Sequence, residues 1–532
     1  MSKHESKTEA EESNRMWASA SFVGVLIIIG LPLWWKTTEV YRVALPYDKI
    51  SSFDQLPRKV AVDLKILAYD DVTAADLEAL IEKAFEDSDI IKPRIQKAVL
   101  SDELHHALEY VADELDAVEE INRAYNLTER NCFYLVQRRN LFQHVWLGEE
   151  RVMFFRDSEA SRLVVESLLR WVYQTSVLSG VRSETVDAAR STRLPPAAGY
   201  HVVLSVVHPT PDKLEVEFDA KEAVEDYIGT FVDELSYLHN FTLKSQWLYL
   251  LDFNFQAKEV KDINEDRGRH FSVRRDRLHL LLTSLEERAA THVAALPTIN
   301  LALYIVPCHL SPLQIYYDDD KPVQATMQAF MSPKWGGVVF ASPSAPDCGH
   351  QHPAFHPHTR LVMGTFLAQL RPLLGIPEVD YIPDAFLVPL RSVAARKWEV
   401  DSLVRLRTLE QITSAQRTLQ SLAQLLGEIS NIVITDEVGA SINSAVESIQ
   451  EASHLLAEGD IMNAYDTSKR AYLAAETAFM DPSLLALLYF PDDQKYAIYI
   501  PLFLPIMFPV VLSLKNLLLW FRGKPVHKDK IE

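Results

Sequence analysis

Cysteine is scarce in this chain of 532 residues, which contains only three. They are Cys132, Cys308 and Cys348, and no two of them form the Cys-x-x-Cys pair of zinc sites and thiol redox enzymes. Three cysteines are too few for a disulfide-rich scaffold. One pair could form a disulfide bond, and the sequence does not say which pair.

Basic residues are also outnumbered by acidic residues. The chain has 53 Lys and Arg residues against 73 Asp and Glu residues, which gives a formal net charge of −20. Because such a chain repels nucleic acid phosphates, we expect no nucleic acid partner. The hydrophobic fraction of 48% and the charged fraction of 24% are typical of a globular protein with a core.

Familiar catalytic motifs are missing as well. The sequence contains no Gly-x-Ser-x-Gly elbow, no phosphate-binding loop, no dinucleotide-binding glycine motif and no His-Glu-x-x-His motif. Cys308 and His309 are adjacent at the end of a predicted strand, where neighbouring side chains point to opposite faces. That placement favours a core cysteine beside an exposed histidine over a catalytic dyad.

A histidine-rich segment is the second candidate for chemistry. Its thiol and imidazole groups, which are good zinc ligands, belong to Cys348, His350, His352, His356 and His358. Pro353 and Pro357 break the spacing, which favours a polar surface loop, with a metal site as the alternative. We therefore predict no catalytic residue, no metal site and no cofactor.

Two apolar runs lie near the ends of the chain. Residues 16–35 and 496–514 contain no charged residue, and each is long enough to cross a ~30 Å hydrocarbon core as a helix. The first run is too long for a signal peptide and has no cleavage site, so we predict an uncleaved anchor. We predict a second transmembrane helix over 496–514, with 521 as an alternative end. It contains Pro501, Pro505 and Pro509, which membrane helices tolerate.

Flanking charges predict the topology. Residues 522–532 carry Arg522, Lys524, Lys528 and Lys530, and positive segments stay in the cytoplasm. Two spans then place tails 1–15 and 522–532 in the cytoplasm and residues 36–495 on the luminal side. Lys528 and Lys530 resemble a dilysine retrieval signal of endoplasmic reticulum membrane proteins, and a plain basic tail is the alternative. Asn126 and Asn240 each begin an Asn-x-Thr sequence and are N-glycosylation candidates.

The residue pattern changes once within the predicted luminal part. Strand-like and helix-like segments alternate over 60–375, which predicts an α/β domain with a mixed sheet over 36–397. Apolar residues spaced three and four apart then predict a three-helix bundle over 398–495. We also expect helix through 71–124 with a break near Pro93, a long helix over 160–178, a hairpin around Pro209 and a helix over 359–374. Residues 313–317 and 337–340 are expected to extend the main sheet.

Several segments resemble one family, PIG-S. They occur in the family's order and cover residues 31–39, 45–47, 332–337, 366–371, 422–427, 429–434, 481–485 and 488–505. The last is the longest and most specific, whereas residues 71–195 match the family poorly.

The resemblance implies a role in the GPI transamidase complex of the endoplasmic reticulum membrane. That complex removes a C-terminal signal from proproteins and joins the new carboxyl end to a GPI lipid. The family places the nucleophilic cysteine in another subunit, PIG-K, and implies PIG-T, PIG-U and a GAA1-type subunit as further partners. We expect a non-catalytic scaffolding subunit that meets membrane lipid, proprotein and GPI lipid through the complex. The alternatives are a membrane-tethered luminal hydrolase and a generic luminal chaperone.

Overall fold

The structure is a computed structural model, and its described residues fall into two units. The described residues are 2–30, 32–33, 36, 41–57, 59–86, 88–182, 191–251, 257–261, 269–289, 296–318, 321–349, 353–390, 392–429, 432–486 and 492–522. The first unit takes its residues from 1–54, 415–448 and 470–532, and the second from 55–414 and 449–469.

All strands of the described residues belong to the second unit. In chain order they are β1 (Val60–Ala68), β2 (Ile91–Val99), β3 (Cys132–Gln137), β4 (Val145–Leu147), β5 (Val152–Phe155), β6 (Gly199–His208), β7 (Glu215–Val216), β8 (Asn240–Tyr249), β9 (Lys258–Lys261), β10 (Arg269–Arg274), β11 (Thr298–Ile305), β12 (Leu313–Asp318), β13 (Lys321–Pro322), β14 (Gln328–Ser332), β15 (Gly336–Ala341), β16 (Ala354–Phe355) and β17 (Ala385–Leu387).

Two larger sheets organise these strands. One has the order β17-β4-β5-β3-β1-β2 and is parallel except between β4 and β5. The other has the order β14-β15-β11-β6-β8 and is parallel except between β14 and β15. Smaller sheets have the orders β13-β12-β10-β9 and β16-β7. The mixed α/β prediction is confirmed.

Helices occur in both units. In chain order they are α1 (Ser2–Val25), α2 (Tyr47–Ser51), α3 (Asp71–Glu86), α4 (Asp102–Tyr110), α5 (Glu114–Ala124), α6 (Ser161–Ser167), α7 (Thr175–Arg182), α8 (Ala220–Ala223), α9 (Thr230–Asp233), α10 (His279–Ala289), α11 (Ala345–Cys348), α12 (Thr359–Leu374), α13 (Lys397–Glu428), α14 (Asp436–Glu458), α15 (Ile461–Phe479), α16 (Pro482–Ala486) and α17 (Asp492–Phe521). A π-helical stretch, Leu168–Val172, follows α6, so the predicted long helix over 160–178 is α6, this stretch and the start of α7.

Three sequence expectations about strands are wrong. Residues 91–99 form β2, not helix, and the register of β1 with β2 places Val62 opposite Pro93. Proline cannot donate to a ladder, but β2 is an edge strand, where proline is tolerated. The hairpin around Pro209 does not form, because β6 pairs with β11 and β8 while β7 pairs with β16. Residues 313–317, expected to extend the main sheet, lie in the four-stranded sheet.

The end of α12 agrees with the sequence. Gly375 follows the helix with φ of 103°, in the left-handed region that glycine enters without a steric penalty. Its N–H donates to the carbonyl of Arg371 at 3.1 Å. A single local signal was sufficient here, because a helix end depends only on its own last turn.

The part of α13 in the second unit is a buried polar helix. Its buried polar residues are Glu399, Asp401, Ser402, Arg405, Arg407, Thr408 and Gln411. Trp398 Nε1 donates to the carbonyl of Gly148 at 2.9 Å, and Arg405 Nη2 donates to Asn131 Oδ1 at 3.0 Å. Arg407 Nη2 donates to the carbonyl of Leu374 at 2.9 Å. These bonds join α13 to the six-stranded sheet and to the end of α12.

The first unit contains the terminal helices and the remaining parts of α13, α14 and α15. Within it α1 packs against α17, and the N–H of Val43 donates to the carbonyl of Ile434 at 3.2 Å. The three helices predicted after residue 398 are present, and Gly459, with φ of 87°, separates α14 from α15. Their arrangement as one bundle stays a prediction.

The two predicted spans fall on helical segments. Residues 16–30 belong to α1 and a π-helical stretch, residues 31, 34 and 35 lie outside the described residues, and 496–514 belongs to α17. Across the part of the chain that the structure describes, no helix combines the length and the apolar composition needed to cross a bilayer. Both spans stay predictions.

Candidate functional site

A disulfide bond removes one candidate nucleophile. Cys308 is bonded to Cys348, with their Cα atoms 5.7 Å apart and a separation of 40 positions in sequence. Closing a loop of this length stabilises a fold by about 4 kcal/mol in the chain-entropy estimate. The nucleophilic form of cysteine is the free thiolate, so the bonded Cys308 cannot form a catalytic dyad with His309.

The same bond occupies the thiol of the histidine-rich segment. His350 and His352 lie outside the described residues. His356 Nδ1 lies 3.3 Å from Glu217 Oε2 on the surface, and His358 is the residue before the first turn of α12. Among the residues that the structure describes, no group of three or more His, Cys, Asp or Glu side chains could hold a metal ion.

Cys132 is a free thiol in the core of the six-stranded sheet. It is 2% exposed, and burial raises the pKa of its thiol above the ordinary value. A buried, protonated thiol is a poor nucleophile. Neither Cys308 nor Cys132 therefore has the properties of a catalytic cysteine.

The glycosylation candidates occupy exposed positions. Asn126 follows α5, and its Oδ1 accepts a hydrogen bond from the N–H of Thr128 at 3.1 Å. Asn240 is the first residue of β8, an edge strand of the five-stranded sheet. Lys528 and Lys530 lie outside the described residues. Exposure is a necessary condition for a glycan, and use of the two asparagines stays a prediction.

A cleft of about 540 Å³ in the second unit was missed by the sequence analysis. One face of α12 lines it, with Arg360, Gly364, Ala368 and Arg371 spaced three to four residues apart, as on one helix surface. Arg396, just before α13, also lines it. The spacing on α12 was visible in the sequence, but nothing there places Arg396 beside that face.

A buried carboxylate lies among the cleft's guanidinium groups. Glu399 Oε1 accepts hydrogen bonds from Arg371 Nη2 and from Arg396 Nη1, both at 2.7 Å. Its Oε2 accepts from the N–H of Arg396 at 3.0 Å. Arg396 Nη2 also donates to the carbonyl of Val388 at 2.7 Å. Two guanidinium groups thus share one carboxylate.

Comparison with known proteins identifies the family. The family model described as "Phosphatidylinositol-glycan biosynthesis class S protein", PIG-S, matches residues 21–524. This chain belongs to the PIG-S family. It is similar to the "GPI-anchor transamidase component PIGS" of Rattus norvegicus, with 33% identity over 99% of both chains. The human protein of the same name is 32% identical over 98% of this chain and 99% of its own. The "GPI transamidase component GPI17" of Saccharomyces cerevisiae is 23% identical over 92% of this chain and 90% of its own.

Two of the segments that resemble PIG-S contact each other. Segment 332–337 ends at Gly337 in β15, and segment 366–371 contains Gln369 on α12. A Cβ atom on Gly337 would lie 1.9 Å from Gln369 Oε1. Gln369 Nε2 also donates to the carbonyl of Phe330 at 3.0 Å. In this PIG-S chain the two segments therefore fix the helix against the sheet.

Proposed function

We propose that this chain is a non-catalytic subunit of a GPI transamidase. The main support is the match to the PIG-S family over residues 21–524, because the similar proteins are named as transamidase components. Relatives that align from end to end support a shared role for the whole chain. The bonded Cys308 and the buried Cys132 support a subunit that leaves the chemistry to another polypeptide.

The proposed location is the endoplasmic reticulum membrane, with residues 36–495 in the lumen. The disulfide bond between Cys308 and Cys348 supports this location, because such bonds persist in oxidising compartments. The exposed Asn126 and Asn240 are compatible with it. Residues 16–35 and 496–514 would supply the two spans, and both tails would be cytoplasmic.

The proposed physical role is to confine partners at the luminal face. Anchoring a folded body at both ends would hold a PIG-K-type protease subunit close to the bilayer, where proprotein and GPI lipid arrive. Confinement raises the effective concentration of partners and fixes their geometry. PIG-T, PIG-U and a GAA1-type subunit would complete the assembly.

Luminal placement predicts use of the glycosylation sites. In microsomes, we expect the full-length chain to lose mass on treatment with a glycosidase that removes N-linked sugars. Replacing Asn126 and Asn240 together (Asn126→Gln, Asn240→Gln) should abolish the shift, with each single variant reporting its own site. Two results together would place residues 36–495 in the cytoplasm. One is that the wild-type chain, without glycosidase, has the same mass as the double variant. The other is that protease added to sealed microsomes digests residues 36–495.

Gene deletion and rescue test the transamidase role. We expect deletion to remove GPI-anchored proteins from the cell surface while other surface proteins persist, and wild-type chain to restore them. The double variant Cys308→Ser, Cys348→Ser should restore surface levels at reduced abundance of the chain, because it loses a stabilising bond and no nucleophile. The replacement of His350, His352, His356 and His358 by alanine should restore them fully.

The same experiment separates the alternatives. A luminal hydrolase that uses Cys308 or the histidine-rich segment predicts a complete loss of rescue in variants that are present at the level of the wild-type chain. A generic chaperone predicts that deletion lowers unrelated surface glycoproteins as much as GPI-anchored ones. Either result would contradict the proposed role.

A further inference from the structure

The cleft along α12 is long and lies on one side of a helix. Arg360 and Arg371 are eleven residues apart, which is about 16 Å along the helix axis. Gly364 and Ala368 lie between them, and a Cβ atom on Gly364 would meet nothing within 4 Å. Small residues on this face leave room beside the helix, and the cleft's 540 Å³ lies within the usual range of small-molecule sites.

The charge of the cleft as a whole is only partly neutralised. Along its length Arg360, Arg371 and Arg396 oppose two carboxylates, Glu378 on the lining and Glu399 beneath it, which leaves a net charge of +1. The whole chain carries −20, so this local excess runs against the overall composition. An excess of guanidinium groups in a partly enclosed site attracts phosphate or carboxylate groups.

Two N–H groups of the guanidinium pair around Glu399 have no partner among the described residues. They are Nη1 of Arg371 and Nε of Arg396. Arg396 is 5% exposed, and a buried donor without a partner is destabilising. The side chain of Arg371 keeps 12% of its surface exposed against 6% for Arg396, so Arg371 is the more accessible guanidinium group of the pair.

Part of the cleft's lining is apolar. It includes Leu367, Ala368, Ile376 and Val379. A small inorganic anion would leave this surface in contact with water, whereas an alkyl chain would cover it, and each buried methylene would add to the affinity. The lining therefore fits an elongated ligand with a charged head and an apolar body.

We propose that this cleft binds a phosphate monoester with an apolar body, with the phosphate at Arg371 and Arg396 and the body along Gly364 and Ala368. Phosphate is the head group because its three oxygens accept from several guanidinium donors at once. The source is either a soluble alkyl phosphate or a phospholipid head group, which share this chemistry. The proposal does not depend on the chain being a transamidase subunit.

Binding to the full-length chain in phosphatidylcholine nanodiscs tests the proposal by isothermal titration. We expect saturable binding of inorganic phosphate and at least about tenfold tighter binding of hexyl phosphate, because the alkyl chain buries apolar surface. Phosphatidic acid added to the nanodisc should weaken hexyl phosphate binding if the lipid reaches the cleft. An unchanged affinity would assign the site to soluble phosphates.

Two variants distinguish the contributions of the phosphate head and the alkyl body to the affinity. Arg371→Gln should weaken both probes about tenfold, while Glu399 keeps its bonds to Arg396 and preserves the fold. Gly364→Leu should cancel the advantage of hexyl phosphate and leave inorganic phosphate unchanged. The matched controls are Arg162→Gln, on the exposed surface of α6, and Gly427→Leu, where a Cβ atom also meets nothing within 4 Å.

Three results would overturn the proposal. The first is the lack of saturable phosphate binding by the wild-type chain. The second is equal affinity of the wild-type chain for inorganic and hexyl phosphate. The third is weakening by the two controls to the same extent as by the cleft variants, which would mean binding elsewhere on the protein.

Discussion

Replacing Asp401 with Asn is expected to destabilise the second unit by about 3–5 kcal/mol, because it leaves a buried guanidinium without its counter-ion. Arg151 and Asp401 are both almost completely buried, and Arg151 Nη2 lies 2.9 Å from Asp401 Oδ1. Arg151 would retain its bond from Nη1 to the carbonyl of Leu127, at 3.0 Å, and one bond to the amide oxygen in place of two to the carboxylate. Pulse proteolysis of the full-length chain across a urea series measures the change.

An exposed ion pair of similar geometry is the matched control. Arg94 donates to Asp63 from Nε at 2.7 Å and from Nη2 at 2.8 Å, but both side chains are more than a third exposed. Asp63→Asn should therefore cost less than about 1 kcal/mol. The joint replacement of Arg151 by Met and Asp401 by Leu should recover part of the loss, since it removes both buried charges. Equal losses for Asp401→Asn and Asp63→Asn would contradict burial as the cause.

Replacing Gly336 with Ala is expected to cost on the order of 3 kcal/mol or more, because the new side chain meets the neighbouring strand. Gly336 has φ of 149°, where residues with a Cβ atom are strained. Its Cβ atom would lie 1.8 Å from the carbonyl oxygen of Asn300, the residue opposite in the ladder of β11 and β15. The same pulse proteolysis across a urea series measures this loss of stability when the fragments that come from the second unit are quantified.

Gly427→Ala is the control for the loss of glycine. Gly427 lies near the end of α13, its added Cβ atom would meet nothing within 4 Å, and alanine should stabilise the helix by up to about 1 kcal/mol. If Gly336→Ala leaves the urea midpoint within the range of this control, the close approach of β15 to β11 is not the reason for glycine at this position.

Local signals account for the parts of the fold that the sequence predicted. The stop of α12 at Gly375 and the strand alternation of β1 depend on neighbours in sequence, so they could be read directly. Strand β2 was missed because its exposed positions include Lys92, Arg94 and Lys97, a composition that also suits a surface helix. Residue propensity alone does not distinguish an exposed edge strand from a helix, because pairing with a distant strand determines which of the two forms.

The candidate site needed contacts between distant segments. The pairing of Cys308 with Cys348 follows from the fold around them, and the sequence left all three pairings open. The cleft combines a face of α12 with Arg396 and Glu399, and no spacing rule links those segments. The buried polar part of α13 was likewise unexpected, because its partners Asn131 and Arg151 lie just before strands that are far away in sequence.

One experiment tests most directly whether this chain is a non-catalytic transamidase subunit. The tagged full-length chain is purified from detergent-solubilised membranes and then treated with a thiol-reactive activity probe. We expect the chain to co-purify with other transamidase subunits and the probe to label one of those subunits. This chain should stay unlabelled until it is denatured, because Cys132 is buried and Cys308 and Cys348 are bonded to each other. Labelling of the native chain itself, or its recovery without any transamidase subunit, would contradict the account.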